Sequence, residues 1–208
     1  MSAIPLKNFE DEAQALVSVG LEAFARGWVP ATSGNFSVRL GPNEVAITVS
    51  GRHKGRLTIA DIMRVDGSGR ALDKKRPSAE TLLHVSLYRR FPEIQAVLHT
   101  HSVNATVLSR LVDGKLVLEQ LEVLKAFRGI DTHQASVVVP IFANDQDIQR
   151  LASTVEQYLE AHGPIPGYLI AGHGLYTWGA SLNEAMRHLE AFEFLLQCEL
   201  EMRRASRP

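Results

Sequence analysis

The chain has 208 residues, 45% of them hydrophobic and 22% charged, enough to bury a sizeable core without disulfide or metal staples. A formal net charge of −1 with no long basic run excludes sustained nucleic-acid binding as an expected role. Cys198 is the single cysteine, which rules out an intrachain disulfide framework and a CxxC metal site. The N-terminal stretch lacks a signal-peptide apolar core and no apolar run reaches about 18 residues, so no membrane span and a cytoplasmic location are expected.

In chain order, Ala13, Leu16, Val17, Leu21 and Phe24 form an apolar stripe that predicts a helix over Glu10 to Arg26, with Asn8 as its cap and Gly27 as its stop. "NFSVRL", "GPNE" and "VAITVS" read as a hairpin, and "IMRVDGSGRAL" as a strand, a turn and a return strand. "PSAETLLHVSLYRRFP" is a short helix ended by Pro92, "IQAVLHTH" a buried strand, and Ser102 to Leu111 a further helix. "SVVVPIF" reads as a strand and "NDQDIQRLASTVEQYLEAHG" as a capped amphipathic helix. "GYLIAGHG" and "LYTWG" are short strands around a glycine-rich turn. Ser181 and Glu184 make a capping box for a last helix to about Arg204. No repeat, low-complexity segment or linker divides the chain. Hairpins mixed with helices predict a single α/β sandwich, a sheet covered by helices.

Three histidines stand out. Residues two apart share one face of a strand, so His99 and His101 in "AVLHTHS" aim at one point. His173 in "AGHG" ends another apolar strand between Gly172 and Gly174, which let backbone or substrate approach closely. Three imidazoles with an open position make a catalytic metal site, zinc being the commonest occupant. Glu80 and Glu122 sit among apolar residues, where burial near a metal would tune either toward proton transfer. His84 and His188 fall in helical patterns and read as packing or surface residues; His53, His133 and His162 fall in turns and read as exposed. "TSGNFS", "VSGRHKG" and "RPSAE" present hydroxyls and turn amides suited to a phosphate, with Arg52 and Lys54 adding positive charge.

The ordered set "TSGNFSVR", "VSGRHKG", "RPSAETLLH", "AVLHTHS" and "IAGHGLYTWG" resembles the class II aldolase/adducin family over nearly the whole chain. The resemblance implies one class II aldolase-like domain over residues 1–208, with a central, mostly antiparallel sheet covered by helices. It implies that His99, His101 and His173 bind one Zn2+ per subunit. It places Ser33, Gly34, Asn35, Ser50, Gly51 and Ser78 at a sugar-phosphate pocket, with Lys54 a helper. Its implied partners are a small ketose phosphate substrate and further copies of the chain in a homotetramer, with sites near subunit interfaces. "SGRHKGRLTIADIMRVD" and "LEQLEVLKAF" look most like the family's dehydratases, in which a glutamate after the H-x-H helix is the acid/base; Glu122 matches it. Glu80 matches the glutamate that serves the family's aldolases, nineteen residues before the first histidine. Both glutamates are therefore candidates, with Glu122 the expected acid/base. The rivals are an aldolase or epimerase on the same scaffold, and a non-catalytic adducin-like module, which would have a degraded histidine triad.

Overall fold

In the computed structural model, which describes residues 6–206, Asn8 opens the first helix, α1 (Phe9–Ala25). The Asn8 side chain accepts from the backbone N–H groups of Glu10 and Asp11 at 2.8 and 3.3 Å, and three acids in the first turn complement the helix dipole. The ends of the expected 1–208 domain, residues 1–5 and 207–208, lie outside the described residues. The predicted hairpin follows as β1 (Asn35–Gly41) and β2 (Glu44–Thr48), and β3 (Ile62–Asp66) extends it. The return strand expected after β3 does not form. Asp66 instead accepts from Ser68 and Arg70 in a tight turn, leaving one bridge, Val65 with Ala71.

The rest of the chain alternates helix and strand: α2 (Thr81–Arg90), β4 (Ala96–Thr100), α3 (Val103–Leu111) and β5 (Lys115–Glu119) come first. Then come β6 (Ser136–Phe142), α4 (Ile148–His162), β7 (Gly167–Ile170), β8 (Gly174–Gly179) and α5 (Leu182–Ala205). β5, not expected from the sequence, is an edge strand whose exposed residues alternate with Leu116 and Leu118. The strands lie in the order β3-β2-β1-β4-β8-β7-β6-β5. All neighbours pair antiparallel except β6 with β7, which α4 joins by the crossover that parallel strands require.

Two apolar layers cover the sheet. Leu98 of β4 and Phe36 of β1 face α1, α3 and α5, while Val97 and Tyr176 face α2 and α4. Strand alternation therefore turns His99 toward α2 and Thr100 toward α5. Beneath Thr100 and Ser102 lies the Glu193 carboxyl of α5, in a side chain only 3% exposed.

Burial pushes the Glu193 carboxyl up to about 7 from an ordinary 4.5, against the opposing influence of the Ser102 and Thr100 hydroxyls. The folded state thus holds this proton more tightly than the unfolded chain. That contribution is complete below the ordinary value and disappears as pH rises through about 7. Glu193→Gln is expected to raise the melting temperature clearly at pH 8 and only slightly at pH 5. Equal shifts at the two pH values would show that the carboxyl ionises freely in the fold.

Candidate metal centre

The site begins at the end of β4. His99 is wholly buried and stacks on Tyr176 of β8, with centroids 4.0 Å apart. Its Nδ1 donates to the carbonyl of Leu175 at 2.9 Å, so its Nε2 carries a lone pair rather than a proton. His101 follows the strand, anchored by its backbone N–H on Trp28 O at 2.8 Å, and its Nε2 lies 2.8 Å from that of His99. His173 occupies the turn between β7 and β8. Its Nδ1 faces Asn144 Oδ1 at 3.4 Å and its Nε2 lies 2.9 Å from Glu80 Oε1.

Glu80 precedes α2 and closes the cluster, with Oε2 3.3 Å from His99 Nε2 and accepting from Asn35 Nδ2 at 2.6 Å. One donor atom from each of Glu80, His99, His101 and His173 lies within 4.8 Å of the others. Burial pushes the imidazole of His99 down to about 4 and that of His101 to about 3, leaving both neutral near pH 7. Burial works to raise the Glu80 carboxyl, but the neighbouring histidines and the Asn35 amide bring it below the usual range. The lone pair of His99 Nε2 therefore faces a carboxylate, with the Nε2 atoms of His101 and His173 beside it. Such a set repels itself until a cation sits among it, and its three nitrogens and one oxygen suit a divalent transition metal.

Two glycines make the approach possible. A Cβ on Gly34, whose φ is 75°, would lie 2.7 Å from His99 O. A Cβ on Gly174 would lie 2.0 Å from Thr100 O. Both flank the peptide groups that carry the H-x-H pair.

Next to the cluster opens a cavity of about 370 Å³. Ser33, Gly34, Asn35, Ser50, Gly51, Lys54 and Ser78, all singled out from sequence, line it together with Glu80, His101 and His173. Lys54 is 2% exposed, and its Nζ donates to the carbonyls of Thr32 at 2.9 Å and Arg52 at 2.7 Å. Burial lowers its pKa to about 8, partly offset by Glu80. The amine thus clips the two glycine-bearing loops together at the cavity wall. Arg52 points elsewhere and pairs with Asp61 at 3.1 Å.

Glu122 is not brought to this place. It lies in a 3-10 turn, Glu122–Ala126, whose inward residue is Leu124. Its side chain is 69% exposed and pairs with Lys125 at 2.5 Å and His133 at 3.7 Å. The burial expected for it is not found, because the apolar neighbours in its segment face α5 while the carboxylate faces outward. His84, read from the sequence as a packing or surface residue, is wholly buried behind Glu80, and Asn144, the partner of His173, carried no signal in the sequence. Asn35 and Ser37 alternate on β1 at a spacing that pointed to His84 only once the register with α2 was visible.

The family model for the class II aldolase and adducin N-terminal domain matches residues 14–200. A relative from Methylococcus capsulatus, named methylthioribulose-1-phosphate dehydratase, is 58% identical over 94% of this chain and 96% of its own. One of the same name from Pseudomonas aeruginosa is 56% identical over 96% and 98% of the two chains. Among solved structures, YgbL from Escherichia coli superposes with a TM-score of 0.82 at 25% identity, over 97% of this chain and 93% of its own. The L-fuculose-1-phosphate aldolase of Thermus thermophilus gives 0.75 at 29%, over 93% and 96%. The chain belongs to the class II aldolase and adducin N-terminal domain family.

Proposed function

We propose that the chain is a zinc-dependent hydro-lyase converting 5-methylthioribulose 1-phosphate into 2,3-diketo-5-methylthiopentyl 1-phosphate, a dehydration of methionine salvage. The near-full-length identity to two dehydratases carries this reading. The enzyme is cytoplasmic, and each chain of its homotetramer is one domain over residues 1–208.

His99, His101 and His173, with Glu80 beside them, hold the zinc. When bound there, it supplies Lewis-acid polarisation of the substrate's C2 carbonyl. Ser33, Gly34, Asn35, Ser50, Gly51 and Ser78 give the phosphate its hydroxyl and amide donors, and Lys54 keeps their loops in place. Fixing the phosphate orients C3 toward the base, so binding becomes alignment. A carboxylate then takes the C3 proton, the C4 hydroxyl leaves as water after protonation, and the resulting enol gains a proton at C4 to give the diketone.

Glu122 is that acid/base. Within its own chain it stands off the cavity, so it serves the cavity of a neighbouring subunit in the tetramer. Gln120, two residues before it, has φ 59°, a conformation that costs a side-chain-bearing residue about 1–2 kcal/mol. Strain of this kind gathers where a functional group must be presented. The second reading, an aldolase, is favoured by the position of Glu80 inside the cluster.

Product analysis separates the two readings. With zinc-loaded protein and 5-methylthioribulose 1-phosphate, mass spectrometry is expected to find a phosphorylated product lighter by one water. Dihydroxyacetone phosphate would mean cleavage of C3–C4 and an aldolase. His99→Ala is expected to remove bound zinc and turnover while preserving the far-ultraviolet circular dichroism; full activity in that variant would overturn the zinc assignment.

Glu122→Gln is expected to cost about 10²- to 10⁴-fold in turnover with zinc retained. Co-folding the two inactive variants His99→Ala and Glu122→Gln should then restore activity, because some cavities receive an intact metal centre and an intact neighbouring glutamate. No recovery in tetramers confirmed as mixed would place Glu122 in its own chain's site or outside the chemistry.

A further inference from the structure

Behind the metal centre, one strand and one helix meet along a row of buried polar groups. On β1, Asn35, Ser37 and Arg39 lie two apart on the face turned to α2, each no more than 4% exposed. On the helical side Glu80, His84 and Tyr88 lie four apart. Two strand residues advance about 6.7 Å and four helical residues about 6.0 Å, so the two rows stay in step over three rungs. Asn35 meets Glu80 and His84, Ser37 meets His84 and Tyr88, and Arg39 meets the end of the helix.

The hydrogen bonds along this row have one direction only. The Glu80 carboxylate accepts, so the Asn35 amide must turn Nδ2 toward it, at 2.6 Å. Asn35 Oδ1 can only accept, so His84 Nε2, in contact with it, must carry the ring proton. His84 is wholly buried and burial lowers its pKa to about 4, so the ring is neutral and its Nδ1 is a lone pair. Ser37 therefore donates its hydroxyl proton to that nitrogen, at 2.7 Å. With that proton used, Ser37 Oγ must accept from the Tyr88 phenol at 2.9 Å. Burial holds the phenol well above its ordinary range, so it stays a donor. Arg39 closes the far end, with its guanidinium 4.8 Å above the Tyr88 ring and Nη2 donating to Tyr88 O at 2.7 Å.

We propose that Tyr88, Ser37, His84 and Asn35 form a one-way donor chain ending on Glu80, and that His84 is the positioning residue that orients the Asn35 amide. Were His84 unable to donate, Asn35 Oδ1 would be left buried without a partner, and the amide would lose the contact that holds it in place under the carboxylate. Glu80 would then lose a firmly held donor and with it its aim at His99 and His173. This inference rests on the reading of Glu80 as part of the metal-holding set, but not on which sugar phosphate is used.

Two experiments test it. In protein labelled with ¹⁵N at histidine, the His84 ring is expected to be neutral with its proton on Nε2. A proton on Nδ1 would reverse the chain and overturn the proposal, whatever the enzyme's substrate. The second experiment compares cobalt(II) affinity and the visible spectrum of the cobalt-loaded protein. His84→Leu removes the donor and is expected to lose about 10- to 100-fold in metal affinity with an altered spectrum. His84→Gln places an amide N–H near the same point and is expected to recover most of that loss. Unchanged affinity and spectrum in His84→Leu, or a glutamine variant no better than leucine, would overturn the positioning role. If the leucine variant fails to fold, Ser37→Ala serves instead: His84 is expected to keep its proton on Nε2, because Asn35 Oδ1 still only accepts, and a move of that proton to Nδ1 would overturn the chain.

Discussion

Asn35 stands directly opposite His99 in the antiparallel ladder between β1 and β4, and this register decides what can meet at the site. It puts an amide beside an imidazole on the face turned to α2, the helix that begins just after Glu80. The pairing of β4 with β8 then sets Tyr176 opposite His99, where it forms the flat wall on which the imidazole stacks. A slip of one residue in either ladder would turn His99 toward the apolar layer under α5 and leave the cluster without its first nitrogen. The chemistry of the site thus depends on the register of the sheet.

Much of this was legible in the sequence. The apolar runs and caps gave most elements within a residue or two, because Asn8, Ser102, Asp147 and Ser181 each accept from the first turn they precede. His99, His101 and His173 stood out because strand alternation and a glycine-bound turn leave few other uses for imidazoles at strand ends. Less was legible where a tertiary partner decides. β5 is a strand only because β6 pairs with it along its whole length, from Lys115 opposite Pro140 to Glu119 opposite Ser136. His84 has the same helical spacing as a packing residue, and only the meeting of α2 with β1 turns it into part of a polar row. Glu122 stands in a segment rich in apolar residues, and only the fold turns those residues inward and leaves Glu122 at the surface of one chain.

Electrostatics explain why the polar row exists at all. A carboxylate with little access to water needs several donors to remain ionised, and the Nε2 of His99 beside it offers a lone pair instead. Asn35 answers part of that need from one side. Arg39 settles a related problem at the other end, donating to the carbonyls of Tyr88, Phe91 and Ile94 where α2 ends. One buried face of β1 thereby serves both ends of the same helix, so the position of Glu80 and the termination of α2 are set by a single strand.

Gly34 and Gly174 give the H-x-H segment a different kind of limit. Each presses bare backbone against a carbonyl of that segment, at distances no side chain can share. Ligand swaps at His101 or His173, both at the cavity wall, alter the donor set while leaving the scaffold's shape intact. Any side chain at the two glycines would instead push the strand end itself out of place. A search for new metal specificity on this scaffold therefore has room at the ligands and almost none at two positions that carry no chemical group.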